Sequence, residues 1–547
     1  MKKLSLQIIS LLIILFAVLS GCTDYLDTQP YSVDTVDKLY TSEDGAELGL
    51  TGCYNLLNAE SVQGAWGATF VAVMPFMLNG GTDEVATRDG YTDVKYAPLG
   101  NYTYTSQNPS LEDNWFCLFA GVNRANYLLE QIDGVDFEDE DRKEEIRCEA
   151  HFLRGFYYFY LSAFYGGVPL FTTSDQSGSE PRSSLENVYG QIISDFTYAY
   201  ENLPGDSIAS TASGRANKWS AAGYLAKVYT YLASCKNNNV GADLNFELNS
   251  FDWVDANLMY NEAKTITNDI IENSGLRLTE HYDYLFRETT KSYQKEESLF
   301  TLAGSENVSN GNFNLMLFFQ IPIGSSSAGG GYGWYRPMGE LFYKYHSSDP
   351  RRIHNITEVL DTENSVESID GVNYFIPDTL DDPSSAYYCV GKFRYRDPDE
   401  KSISSAWSDG DIVLLRYADI LLLNAEARYF TGDEPGAREI ISEVRSRIAT
   451  DENELEMFNN AYYNSDFITE LLDSRSRELC FEGWRRIDLI RFGKLGEVVN
   501  SLSDDTGKWN TIVPIMQSYW NSNKIWFPIP NSDIELSENL EQNPGYN

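Results

Sequence analysis

The segment Asp139–Phe164 constrains this chain most. It is long, opens on acidic residues, carries apolar side chains at helical spacing, and stops at Gly166-Gly167 ahead of Pro169. Acids at the start favour the positive end of a helix dipole, and Gly followed by Pro is a helix-stop signal. A helix of this length, half apolar, must be covered by other helices, so the chain is expected to fold as packed helices. The same spacing predicts helices over 111–132, 185–203, 218–233, 253–273, 411–431, 434–448 and 467–481, with 484–492 extending the last or turning off it. Ala425 and Ala437 stand twelve apart across Gly432-Asp433. Small residues at that separation let two helices approach closely, as in tetratricopeptide hairpins. The expected fold class is mostly α, a tetratricopeptide-like scaffold of helical hairpins with a large loop-rich insert.

Two stretches depart from this pattern. Gly64–Pro109 is loop-like and aromatic, with Trp66, Tyr91, Tyr96, Tyr102 and Tyr104. Ala303–Ser408 mixes Gly, Ser and Pro, and Gly324–Gly333 holds five glycines in ten residues before Trp334-Tyr335. Long loops in a compact helical protein tend to carry function. The divisions expected are a leader 1–21, an N-terminal segment 22–40, a helical scaffold 41–302 carrying a ligand loop 64–110, an insert 303–408, and C-terminal hairpins with a tail, 409–547.

The N-terminus has the form of a secretory leader. Met1-Lys2-Lys3 is basic, Ile8–Leu19 is apolar apart from Ser10, and the apolar run is too short to span a bilayer comfortably. Leu19-Ser20-Gly21-Cys22 resembles a bacterial lipobox, which makes Cys22 the expected lipid-attachment residue. Acyl chains would then hold the protein to a membrane whatever its charge. The other six cysteines, Cys53, Cys117, Cys148, Cys235, Cys389 and Cys480, have no metal-knuckle spacing and are expected to be buried free thiols.

Charge and aromatic content narrow the partners. Forty-one Lys and Arg face 81 Asp and Glu, a formal net charge of −40. Nucleic acid is excluded as a partner, because phosphate binding needs basic patches. Aromatic residues make up 14% of the chain, with 37 Tyr and 10 Trp. That composition favours neutral ligands held by stacking and hydrogen bonds. Catalysis has little support. Four histidines form no i, i+4 pair, and no G-x-S-x-G, G-x-G-x-x-G or Walker A sequence occurs. Neighbouring acids such as Asp83-Glu84 and Asp381-Asp382 are expected on a solvated surface. No cofactor is expected, although Asp378–Asp382 clusters oxygens of the kind Ca²⁺ takes. His151 and the aromatic run Phe156–Tyr160 are expected in the core, as are Trp115, Trp219 and Trp484.

Five ordered segments carry a family resemblance. They are Cys22-Thr23-Asp24-Tyr25-Leu26-Asp27, Ile146–Leu170, Leu415–Ala427, Arg475–Lys494, and the tail with Phe527-Pro528-Ile529-Pro530 and Gln542–Tyr546. On these the chain resembles the SusD/RagB family. The resemblance implies a cell-surface lipoprotein on the outer membrane, facing the exterior, with the SusD-like fold. It implies a partner, a SusC-like TonB-dependent transporter that the protein caps as a lid. It implies binding of nutrient, usually oligosaccharide, without enzymatic activity; peptide cargo and a pure interaction scaffold are the alternatives. By region, it places ligand contacts in the loop after Asp83-Glu84, at Arg88, Tyr91, Asp93, Tyr96 and Asn101, and in the insert, at Tyr332, Trp334 and Tyr335 with Arg336 beside them. A pyranose has an apolar face that sits on a ring and hydroxyls that Asn, Asp and Arg can bond. The charges in the family-like segment Arg475–Lys494 are expected to staple helices, with Glu482 reaching Arg485 and Arg486 at helical spacing.

Overall fold

The computed structural model describes residues 39–57, 73–88, 90–205, 214–304, 333–357, 365–369, 371–376, 389–393, 397–399, 410–503 and 511–546. Cys22, Trp66, Tyr332 and Asp378–Asp382 lie outside these residues, as does the leader. Helices dominate. Those used below are α1 (Glu43–Tyr54), α2 (Met74–Asn79), α3 (Ala97–Asn101), α4 (Pro109–Gln131), α5 (Glu140–Tyr165), α6 (Leu185–Asn202), α7 (Lys218–Asn237), α8 (Ala256–Asn273), α9 (Gly339–Tyr343), α10 (Tyr417–Phe430), α11 (Glu434–Ser446), α12 (Glu452–Tyr462), α13 (Phe467–Leu479) and α14 (Arg485–Arg491). The strands used are β1 (Val85–Thr87), β2 (Ser298–Leu302), β3 (Tyr335–Pro337) and β4 (Ile412–Arg416).

The helices form a row in which each packs on the next: α4 on α5, α5 on α6, α6 on α7, α7 on α8, α8 on α10 and α10 on α11. The longest shows why the sequence folds this way. Asp139 caps α5 by accepting from the N–H groups of Asp141 and Arg142. Its aromatic stripe is wholly buried, and the buried phenols find carbonyls: Tyr157 Oη donates to Cys53 O at 2.7 Å, and Tyr158 Oη to Phe171 O at 3.0 Å. The helix stops at Gly166, whose φ of 77° and close approach to Asn249 leave no room for a side chain. His151 is a structural partner, bonding Asp195 Oδ1 at 2.7 Å beside Arg154. Ala425 and Ala437 are fully buried where α10 meets α11. Trp115, Trp219 and Trp484 are core residues, and Cys53, Cys117, Cys148, Cys235, Cys389 and Cys480 are buried free thiols.

Two expectations change. The helix expected from Asp411 begins only at Tyr417; residues Ile412–Arg416 form β4, paired antiparallel with β2 from Leu302↔Ile412 to Ser298↔Arg416. An apolar run of this kind has the same appearance in a buried strand as in a helix interior. Glu482 does not pair with Arg485 or Arg486. Between α13 and α14 the backbone enters the left-handed region at Phe481 (φ 65°) and Gly483 (φ 89°), so helical spacing does not hold across it. Glu482 instead takes Arg416 at 2.7 Å and Lys392 at 2.5 Å.

This is one part of a buried ionic core. Glu478 accepts from Arg416 at 2.7 Å, from Arg351 at 2.9 Å and from Arg447. Burial would raise its carboxyl, but the three guanidinium groups outweigh that and hold it far below the usual range. Asp419 is shared by Lys227 (2.5 Å) and Arg475 (2.8 Å), and Arg491 closes on Glu426 at 2.5 and 2.8 Å. Lys227 also sits 3.3 Å above the Trp484 ring, and burial lowers its ammonium to about 8. Removing one member of such a set leaves its partner charged, buried and unpaired.

Candidate functional site

The short β1–β3 ladder builds the site. Its register pairs Val85 with Pro337 and Thr87 with Tyr335. Antiparallel pairing makes the chain leaving β1 run beside the chain entering β3. The aromatic loop and the mid-chain insert therefore meet, and Arg88 N–H donates to Trp334 O at 2.9 Å. Beneath them lies α2. Its Phe76 ring contacts Tyr335 (centroids 3.8 Å apart) and stacks on Tyr96 at 5.0 Å. Asp93 Oδ1 accepts from the N–H groups of Lys95 (2.8 Å) and Tyr96 (3.3 Å), a local turn that aims Tyr96 inward. Thr87 Oγ1 then donates to Ala97 O at 2.9 Å, fixing α3 against the ladder. Gly100 permits this closeness, since a Cβ there would lie 2.2 Å from Thr87 Oγ1. Asn108, which caps α4, also donates from Nδ2 to the carbonyls of Val94 and Lys95.

The result is an aromatic platform. Tyr91 stacks on Trp334 with centroids 5.3 Å apart and planes 16° apart, and Tyr96 stacks on Trp334 at 5.3 Å and 20°. The Arg88 guanidinium lies 5.7 Å from the centre of the Tyr91 ring. Trp334 and Tyr91 are half-buried. Burial, with help from Asp93 and Asp113, pushes the Tyr96 phenol up to about 12, and burial raises Tyr91 further still. Both phenols stay neutral in any physiological medium, so the platform offers hydroxyls and ring faces but no phenolate charge. Tyr91 Oη is buried with no hydrogen-bond partner among the described residues. Asp113, in the first turns of α4, is half-buried; burial pushes its carboxyl up to about 6 against the pull of Lys95.

Of the residues expected here, Arg88, Tyr91, Tyr96 and Trp334 come together. Tyr335 is 1% exposed and lies under the platform against Phe76, so it supports the rings above it. Asp93 is exposed and shapes the loop. Asn101 is half-buried, and its Oδ1 accepts from Thr103 N–H and Oγ1 in a local turn. Phe76 and Asp113 were not anticipated. Phe76 sits in a short helix with Pro at its start, and Asp113 follows the Asn108-Pro109 cap, so the cap signal could have marked it as standing next to the loop.

The acidic pair preceding the platform is the clearest correction. Asp83 and Glu84 are not solvated; they are 5% and 1% exposed. Asp83 is gripped by Arg485 at 2.6 Å and Lys344 at 2.5 Å. Burial alone would raise it, but these cations outweigh burial and keep it ionised. Glu84 accepts from Ser476 Oγ at 2.8 Å and lies near Phe481 N–H. Burial pushes its carboxyl up to about 7, with Arg485 opposing and Asp83 adding to the rise. The pair ties the platform's ladder to α13 and α14. Among the described residues no cluster of His, Cys, Asp and Glu is arranged to hold a metal ion, and no helix is long and apolar enough to cross a membrane.

Two family models match the chain in succession. One, described as "Starch-binding associating with outer membrane", covers residues 24–230, and the other, described as "SusD family", covers 296–546. The chain belongs to the SusD/RagB family. SusD-like protein P25 of Formosa agariphila is 25% identical over 527 residues, covering 91% of this chain and 92% of that relative. The starch-binding protein SusD of Bacteroides thetaiotaomicron is 24% identical over 496 residues, covering 81% of this chain and 80% of that protein. Among solved structures, a SusD homologue from Bacteroides thetaiotaomicron superposes with a TM-score of 0.72 at 22% identity, covering 94% of this chain and 99% of that one. A laminarin-binding SusD-like protein gives 0.69 at 22% identity, covering 93% of this chain and all of that one. The architecture is thus the SusD-like fold.

Proposed function

We propose that this SusD-family chain is a cell-surface glycan-binding lipoprotein that captures oligosaccharide and delivers it to a SusC-like TonB-dependent transporter, which it caps as a lid. One observation carries the binding reading: the β1–β3 ladder joins two distant loops so that Tyr91, Tyr96 and Trp334 form one platform beside Arg88. A pyranose laid on the half-buried rings of Tyr91 and Trp334 would bury its C–H face. Its hydroxyls would then meet Arg88 and Asp113. The names of relatives support the same reading, since one is a starch-binding protein and one solved neighbour was captured with laminarihexaose. Lipid on Cys22 would place the protein at the outer membrane, in keeping with the family description.

The role is capture and not catalysis. A few stacks worth about 0.5–1.5 kcal/mol each, with hydrogen bonds and less ordering costs, give a Kd on the order of micromolar to millimolar. Weak binding suits a protein that must release its cargo. The lid role is tested by affinity capture of the tagged full chain from its native outer membrane. Recovery of a stoichiometric TonB-dependent transporter is expected; recovery of the chain alone after mild detergent extraction and cross-linking contradicts it.

A further inference from the structure

A second concave surface lies at the other end of the β1–β3 ladder. The platform stands at the Thr87–Tyr335 end. From the Val85–Pro337 end the chain turns into α9, with Met338 N–H donating to Glu84 O at 2.8 Å. There α9, the end of α12 and the face of α13 enclose a cleft of about 760 Å³. That volume falls within the range of about 300–1,000 Å³ usual for small-ligand sites. Tyr343 and Tyr463 line it, and they are 68% and 61% exposed. Arg438 lies 4.7 Å from the Tyr463 ring centre and steadies that ring.

The polar lining is balanced. Lys344 and Arg477 share it with Asp473 and Glu340. Lys344 is held by Asp83 and, at 3.2 Å, by Asp473. Arg477 is 4% exposed, lies 3.8 Å above the Tyr462 ring, and among the described residues makes only long bonds, to Lys344 O at 3.2 Å and Ser474 Oγ at 3.4 Å. The other arginines of α13 and α14 that close on carboxylates, Arg475, Arg485 and Arg491, make their shortest contacts at 2.5–2.7 Å. Two cations against two acids give no preference for an ionic ligand, and the protein's net charge of −40 disfavours an anion. Exposed rings with mixed donors and acceptors fit an uncharged polyhydroxylated ligand.

We propose that this cleft is a second saccharide site, which holds an uncharged stretch of the same oligosaccharide whose neighbouring stretch lies on the Trp334 platform. The inference rests on the glycan-binding reading. A three-residue ladder, about 10 Å long, lies between the two sites, so a ligand that reaches both must be a long oligosaccharide. Tyr343 and Tyr463 stack sugar rings; Asp473, Arg477 and Lys344 bond hydroxyls. Two linked sites bind a long glycan more tightly than either alone.

The test is calorimetric titration of the purified full chain with laminari-, malto-, xylo- and mannohexaose and the matching disaccharides. Native protein is compared with Tyr343→Ala/Tyr463→Ala and with Trp334→Ala. The tyrosines are exposed, so the double variant should keep its melting temperature. It should bind the preferred hexasaccharide about tenfold more weakly, the effect of losing two stacks. Disaccharide binding at the platform should be unchanged, and Trp334→Ala should retain residual hexasaccharide binding. A double variant that binds the hexasaccharide as the native chain does overturns the second site and leaves the proposed function standing. No binding of any saccharide by the native chain overturns both.

Discussion

The ionic core around Glu478 and the aromatic platform around Trp334 use polar groups in opposite ways. In the core, each carboxylate is surrounded by cations: Glu478 has three arginines, Asp419 has Arg475 and Lys227, and Asp83 has Arg485 and Lys344. These groups face each other, and of them only Lys344, at the edge of the core, reaches an open surface. On the platform, rings stack while the polar groups around them are sparsely paired. Tyr91 Oη has no hydrogen-bond partner among the described residues, and the Arg88 side chain lies beside a ring. Charge completed internally holds a fold; aromatic surface with available polar edges binds something else.

The largest expected effect breaks the core side of this comparison. Glu478→Gln leaves Arg351, Arg416 and Arg447 buried without their common counter-charge. It should cost about 3–5 kcal/mol of stability, measured by denaturant unfolding. Arg88→Gln, at the half-buried edge of the platform, should cost less than about 1 kcal/mol in the same measurement. Equal losses would remove the distinction between the two regions.

The next effect concerns Glu84, which joins them. Its folded-state carboxyl sits near 7 against an ordinary 4.5. The folded protein therefore holds a proton that the unfolded chain releases between these values. Its contribution is complete below about pH 4.5 and is lost as the pH rises through about 7, a change on the order of 3 kcal/mol. Glu84→Gln cannot lose a proton, so its stability relative to the native protein should rise across that window. Parallel stability–pH curves for the two proteins would contradict the assignment.

Smaller effects sharpen the platform side. Trp334→Ala removes a half-buried ring and should cost about 2 kcal/mol, less than a fully buried tryptophan. It should also weaken glycan binding by about tenfold, which core variants that still fold should not do. Asp93→Ala removes only the turn that presents Tyr96. It should cost about 1 kcal/mol or less, with a small loss of affinity through misplacement of that ring.

The regions also differ in how far the sequence revealed them. Helices 185–202 and 256–273, the Gly166 stop and the paired alanines of α10 and α11 follow from spacing and caps, which are local properties. The strand at 412–416 did not, because only its partner at 298–302 decides between strand and helix. Burial of Asp83 and Glu84 was missed for the same kind of reason. Their partners Arg485, Lys344 and Ser476 are hundreds of residues away, and an acid pair in an acid-rich chain carries no local mark of burial. Tyr91, Tyr96 and Trp334 were legible as aromatic, loop-borne residues, and Arg88 as a polar residue of the same loop. That they touch was not, since it depends on the three-residue β1–β3 register. Tyr335 was indistinguishable from Trp334 in sequence, yet strand alternation sends it beneath the platform.

The most direct test of the central claim is calorimetric titration of the purified chain, native and Trp334→Ala, with a panel of oligosaccharides and peptides. Saturable binding of one glycan class in the micromolar to millimolar range, weakened about tenfold by Trp334→Ala, is the predicted result. Binding of peptides in place of glycans, or glycan binding that the substitution leaves unchanged, would contradict it.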